Sequence, residues 1–168
     1  QRVHPCMVAK ESAIASVGGV FNAVVAEGEY IDKVVFEGRG AGEGPTASAV
    51  MGDVIDVARG NRLPTFSIAA DSLRPIQSAT MDHHVGPYYV RLTVIDQPGV
   101  IADISAILRD RNISIGSMLQ RGRDPGEPVP VVLITHECKE KALTKAMEQI
   151  SALKAVAEKP KIIRIEAL

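Results

Sequence analysis

The chain has 168 residues, 46% of them apolar and 23% charged, with 19 basic against 20 acidic side chains and a formal net charge of -1. That is enough apolar material for one or two small cores and excludes a disordered or fibrous chain. Charges of both signs are interspersed, leaving no basic stripe for phosphate backbones or anionic lipids, so neither nucleic acid nor membrane is an expected partner.

No apolar run approaches the roughly 20 residues of a membrane span, and the opening QRVHPCMVAK has no signal-peptide core, so the expected location is the cytoplasm. Cys6 and Cys138 form no CxxC pair, which predicts two buried thiols in a reducing compartment and no metal site.

In chain order, VHPCMVA, VFNAVVAEG and YIDKVVFEG read as extended, the last two forming a hairpin through Glu27-Gly28-Glu29. The glycine cluster Gly38 to Gly44 follows, then a helix from Pro45 or Thr46 to Ala58. Its apolar face is Ala47, Val50, Met51, Val54, Ile55 and Ala58. So few elements make a poor independent core, and residues 1–60 are expected to be an incomplete piece of a larger domain. Residues 61–87, with Pro64, Pro75, Pro87 and many turn formers, read as a linker in which His83 and His84 are solvated or capping.

From Tyr88 the pattern sharpens. YYVRLTVI alternates as a strand, Asp96-Gln97-Pro98-Gly99 turns, and VIADISAILRDR places Val100, Ile101, Ile104, Ile107 and Leu108 on one helical stripe that Asn112 ends. ISIGSMLQ and VVLITH are two further strands, with Met118 and Leu119 read as core. A helix over Glu140 to Leu153 follows, apolar at Ala142, Leu143, Ala146, Met147 and Ile150, and KIIRIEA closes as a strand. The order βαββαβ over residues 88–168 predicts the ferredoxin-like split βαβ arrangement, with both helices on one face of an antiparallel sheet.

Two segments are candidates for chemistry. A strand, a glycine turn and a helix start at Gly40-Ala41-Gly42 suit backbone N–H groups approaching a phosphate, or simply a tight connection, since the GxGxxG spacing is absent. In the Asp96 to Ile101 turn, Pro98 stiffens the chain, Gly99 permits close approach, and the first-turn amides can face a carboxylate. Asp96 either accepts from a ligand ammonium or serves as a turn or cap residue. The lysines Lys10 and Lys33 and the scattered glutamates suggest no acid/base pair, so no catalytic residue is assigned.

Asn22-Ala23-Val24 after a Gly-Gly turn, Gly40-Ala41-Gly42, Pro45-Thr46-Ala47-Ser48-Ala49-Val50 and Asp53, in that order, resemble the closing segment of the homoserine dehydrogenase catalytic region. The resemblance implies an NAD- or NADP-dependent enzyme that interconverts aspartate semialdehyde and homoserine. It places Gly40, Ala41 and Gly42 near the cofactor and Thr46 near the start of the returning helix. The family's nucleotide fingerprint, sodium loop and catalytic lysines lie upstream of the matched segment. The chain is therefore expected to be a C-terminal fragment that holds no cofactor and lacks dehydrogenase activity by itself.

From Tyr88 to about Ala167 the chain resembles an ACT domain, most closely at Asp96-Gln97-Pro98-Gly99-Val100-Ile101. The fold class is thus α+β, a partial α/β catalytic segment followed by a ferredoxin-like ACT domain. The resemblance implies an amino-acid effector held by Asp96, Gly99, Val100, Ile101 and Ser114 across an interface between copies, and self-association as a dimer or higher. Ser114 stands where many relatives carry Asn. Threonine is the first expectation for the effector, with valine and isoleucine open, and a stand-alone ACT regulator or an oligomerisation module is the rival reading.

Overall fold

The computed structural model describes residues 1–61, 66–122 and 124–166. Pro64 of the expected linker, and Ala167 at the end of the expected last strand, lie outside them. The described chain forms two compact units: Lys10–Ser78, and Gln1–Ala9 together with the chain from Ala79 onward. These units do not follow the sequence divisions at 60 and 87.

In the first unit, β2 (Phe21–Gly28) and β3 (Asp32–Arg39) form an antiparallel hairpin. Its turn is Glu29 to Ile31, slightly later than expected, with Asp32 in the left-handed region at φ 55°. Glu27 and Lys33, opposite each other in the ladder, pair at 2.8 Å. Helix α1 (Glu43–Ala58) begins two residues before Pro45 and ends where Gly60, at φ 78°, donates to Val57 O while Asn61 donates to Asp56 O. This is the glycine-ended pair of C-terminal hydrogen bonds that satisfies a helix's last carbonyls. The expected apolar face exists but is not buried: Val50, Met51, Val54 and Ile55 are 43–55% exposed.

The second unit is built on one five-stranded sheet ordered β1-β9-β5-β7-β6, where β1 is Cys6–Val8, β5 Tyr88–Ile95, β6 Ile115–Gln120, β7 Pro128–Thr135 and β9 Lys161–Glu166. A two-residue pairing of β4 (Val85–Gly86) with β8 (Cys138–Lys139) lies outside it. Four of the five strands are the expected βαββαβ set, antiparallel throughout. The fifth is β1, which runs parallel to β9, so the opening VHPCMVA belongs to this sheet and not with the hairpin. Local alternation predicts an extended segment but carries no information on which sheet edge it finds.

The alternation of β5 and β7 sends Tyr88, Val90, Leu92 and Val94, and Val129, Val131, Leu133 and Thr135, to one buried face. Helices α2 (Val100–Asp110) and α3 (Glu140–Ser151) cover it with Val100, Ile104 and Leu108, and with Leu143, Ala146, Met147 and Ile150. Each buried Val, Leu, Ile or Met side chain among these contributes about 1.5–3 kcal/mol of transfer free energy. Asn112, at φ 54°, ends α2 as expected: it donates to Arg109 O, and Ile113 donates to Leu108 O before both apolar side chains enter the core. Met118 and Leu119 are a correction. They are 49% and 48% exposed on β6, an edge strand along which successive side chains point to opposite faces.

Candidate functional site

The Asp96 turn joins β5 to α2. Gly99, at φ 95°, is the residue before the helix, in a conformation that favours glycine, and α2 has no side-chain cap. Asp103 N–H is the first to find its i-4 partner, Gly99 O, so the amides of Val100, Ile101 and Ala102 have no intrahelical acceptor. Asp96 does not cap them. Its carboxylate turns to the β6–β7 loop, accepting from Asp124 N–H at 2.9 Å and Gln120 Nε2 at 3.5 Å. Asp96 backbone N–H donates to Glu127 O and its carbonyl accepts from Gly126 N–H, so it ties two loops together beside the helix start.

Ser114 is exposed just before β6, and its carbonyl accepts from His136 N–H. Within one chain it does not meet Asp96. Ile95 pairs with Pro128 at the start of β7, whereas Ile115 pairs with Thr135 at its end. Seven strand residues at about 3.4 Å each put the two positions roughly 24 Å apart.

In the other unit, Gly40 N–H donates to Val20 O, and a Cβ on Gly40 would overlap the side-chain amide of Asn22. Gly42, at φ 124°, precedes α1 in backbone that only glycine adopts readily. Thr46 N–H makes the first helical bond, to Gly42 O, and Pro45 has no N–H. Only the amides of Glu43 and Gly44 are therefore left without helical acceptors, and a Cβ on Gly44 would meet nothing within 4 Å. Gly42, Glu43, Thr46, Ala47, Val50 and Met51 line an open concavity of about 570 Å³. An exposed glycine-lined helix start with two unpaired donors fits the close approach of an anionic dinucleotide.

The composition gave no warning of a polar cluster in the second unit. Arg164 Nε donates to Glu140 Oε2 at 2.6 Å, its Nη2 donates to Glu140 Oε1, and Tyr88 Oη donates to Glu140 Oε2 at 3.3 Å. The hydrogen bonds from Arg164 hold the Glu140 carboxyl below the usual carboxylate range. Burial first, and the Glu140 charge second, push the Tyr88 hydroxyl far above its ordinary value. Burial also raises the Cys138 thiol. His84 caps the end of the short Met81–His83 helix, its N–H on Met81 O, and its ring is half-buried and edge-on to Tyr88 at 6.0 Å, with Nε2 buried and unpartnered. Of the two cysteines only Cys138 is buried; Cys6 is exposed. Among the described residues no group of three His, Cys, Asp or Glu side chains is placed to hold a metal ion, and no helix is long and apolar enough to cross a membrane.

A glycine turn feeding a helix start is followed in the chain by a ferredoxin-like unit with an uncapped strand-to-helix turn. Comparison makes this specific. Residues 1–55 match the homoserine dehydrogenase family model and residues 88–155 match the ACT domain model. The chain is 39% identical over 173 residues to a homoserine dehydrogenase of Synechocystis, covering 98% of this chain and 39% of that protein. It is 34% identical to one of Pseudomonas aeruginosa, covering 99% and 40%. A crystal structure of a homoserine dehydrogenase from Thiobacillus denitrificans superposes with a TM-score of 0.83 at 39% identity, over 99% of this chain and 38% of that one. The sequence corresponds to the C-terminal part of homoserine dehydrogenases, the end of the catalytic region plus an ACT domain, and spans about 39% of the length of these relatives.

Proposed function

We propose that this chain is the cofactor-returning and regulatory portion of an NAD- or NADP-dependent homoserine dehydrogenase, and that its ACT domain senses an end-product amino acid, threonine first. The cofactor, when bound, supplies or accepts the hydride. This chain's part is to bring the backbone of Gly40, Ala41 and Gly42, the amides of Glu43 and Gly44, and Thr46 against it. No proton-transferring residue is assigned here, so the chain by itself is predicted to show no turnover with aspartate semialdehyde and reduced cofactor.

One observation carries the sensor reading. The amides of Val100 and Ile101 point out of an uncapped helix start beside Asp96, which suits a carboxylate and an ammonium together, while Ser114 lies at the far end of the same sheet. A small zwitterion that touches both Asp96 and Ser114 must therefore lie between two copies of the chain. Edge strand β6, with Met118 and Leu119 half exposed, offers the surface for that pairing. Ligand binding and self-association are then one event.

Calorimetry and thermal melts with a panel of amino acids test this. Threonine near 100 times its dissociation constant should stabilise the chain by about 2.7 kcal/mol, with light scattering showing a dimer or larger. Asp96→Ala should lose the ligand shift and, because Asp124 N–H also loses its acceptor, about 1–2 kcal/mol of ligand-free stability. No shift with any proteinogenic amino acid would leave assembly alone as the role of the ACT unit.

A further inference from the structure

Helices α2 and α3 bury the inward side chains of β5 completely, yet they leave part of the neighbouring strand uncovered. The ladder sets Ile162 beside Val90 and Arg164 beside Tyr88, so both β9 side chains lie on the helix-facing side. Tyr88 and Val90 are 1% and 0% exposed there, whereas Ile162 is 39% exposed. Between α3 and β9 this leaves a cavity of about 400 Å³, within the size range of small-molecule sites. Leu143 and Thr144 of α3, Ile162 of β9, and Pro5 just before β1 line its mainly apolar part. Arg164, Glu140 and Tyr88 line its polar part.

The hydrogen bonds of that polar part are allocated unevenly. Glu140 Oε1 accepts from Arg164 Nη2, and Oε2 accepts from Arg164 Nε and from Tyr88 Oη, so both carboxylate oxygens are taken. Arg164 spends its Nε edge on this pair, while its Nη1 makes no hydrogen bond among the described residues. Glu140 thus fixes the plane of the guanidinium, and the Nη1 N–H groups remain for another acceptor. Stability alone is a weak reason for the pair, since apolar side chains of similar volume commonly do as well in a partly buried position. Burial and mutual charge also displace the ionisation of Tyr88, Glu140 and Arg164 from their ordinary values, and all three line this one cavity.

We propose that this cavity is a binding site for a short-chain aliphatic carboxylate, with the carboxylate on Arg164 Nη1 and the hydrocarbon tail on Leu143 and Ile162. The corresponding amino acid is rejected. An ammonium needs an acceptor, both Glu140 oxygens are occupied, and the free edge of Arg164 offers only donors. The chemistry is therefore the reverse of that at the Asp96 turn, and the site stands independently of the sensing reading.

NMR titration of the full chain with isocaproate and with leucine, the same skeleton carrying an ammonium, tests this. Isocaproate should shift the amides of Leu143, Thr144 and Ile162 and the Arg164 Nε–H saturably, and leucine should leave them in place. Isocaproamide, which keeps the shape without the charge, should bind about tenfold more weakly, the loss expected for a charge-assisted hydrogen bond. Thr144→Trp, at an exposed helix position, fills the cavity and should abolish the shifts with the urea midpoint unchanged. Arg164→Met should erase the difference between acid and amide; if that variant does not fold, the comparison on the parent chain decides. No saturable shift in the parent, an equal response to leucine or to the amide, or an undiminished response in Thr144→Trp overturns the site. A leucine response confined to Val100 and Ile101 supports sensing at the Asp96 turn and the rejection of amino acids here alike.

Discussion

Helices α1 and α3 carry apolar residues at the same helical spacing and meet different surroundings. On α3, Leu143, Ala146, Met147 and Ile150 are at most 5% exposed, because the face formed by β5 and β7 lies opposite them. On α1, Val50, Met51, Val54 and Ile55 stay about half exposed beside a two-stranded hairpin whose Val24 and Phe36 are themselves 64% and 63% exposed. Periodicity states which face a helix can bury. Only a sheet with its own inward face decides whether it does, and two strands do not make one.

The sharpest way to break this comparison is to truncate one isoleucine in each helix. Ile150→Ala, at 0% exposure, should cost about 2–5 kcal/mol in urea unfolding through lost transfer free energy and an unfilled cavity. Ile55→Ala, at 43% exposure, should stay within about 0.5 kcal/mol. An Ile55→Ala cost comparable to the other, growing with protein concentration, would mean that α1 is covered by another copy in solution, and the contrast between the helices would fail.

The legible parts of the molecule were those set by local pattern. Alternation located β5 to the residue, helical spacing gave the buried stripes of α2 and α3, and Asn112 marked a helix end through a backbone conformation that few residues adopt. Long-range pairing was not legible. Nothing in Cys6-Met7-Val8 says that it joins a strand more than 150 residues away, and nothing in the separate positions of Tyr88, Glu140 and Arg164 says that they converge. The Asp96 turn was visible as a motif, but its attachment to Asp124 depends on how the β6–β7 loop folds back.

That unforeseen cluster gives the next largest expected effect. Arg164→Met would leave the Glu140 carboxylate, 17% exposed, with the Tyr88 hydroxyl as its side-chain hydrogen-bond donor among the described residues, and should cost about 2–4 kcal/mol, somewhat below a fully buried pair. Because Arg164 depresses the Glu140 pKa in the folded state, Glu140 contributes stability that is fully present above the ordinary glutamate pKa of 4.5. That contribution is lost as pH falls from there through the lowered value. The parent chain should therefore lose stability as pH drops below about 4.5, and Arg164→Met should show a flatter profile in that window. An unchanged profile would mean that the pair is not formed in solution, and that the second unit owes its stability to its apolar core alone.

The smallest effects belong to the glycine turn, where two neighbouring glycines are required for different reasons. Gly42 sits at φ 124°, so Gly42→Ala strains the backbone itself, by about 1–3 kcal/mol, and no neighbouring substitution relieves it. Gly40 is not at a positive φ. There a methyl group would meet only the end of the Asn22 side chain, which can rotate away, so Gly40→Ala should cost under about 1 kcal/mol. Adding Asn22→Ala removes the obstacle, and the pair should then show a favourable interaction energy of about 0.5 kcal/mol or more in a double-mutant cycle. Exchange protection of the Gly40 N–H is the direct readout, since that amide bonds to Val20 O. If Asn22→Ala rescues Gly42→Ala but not Gly40→Ala, steric contact and backbone strain have been assigned to the wrong glycines, and the turn is held by something other than these two constraints.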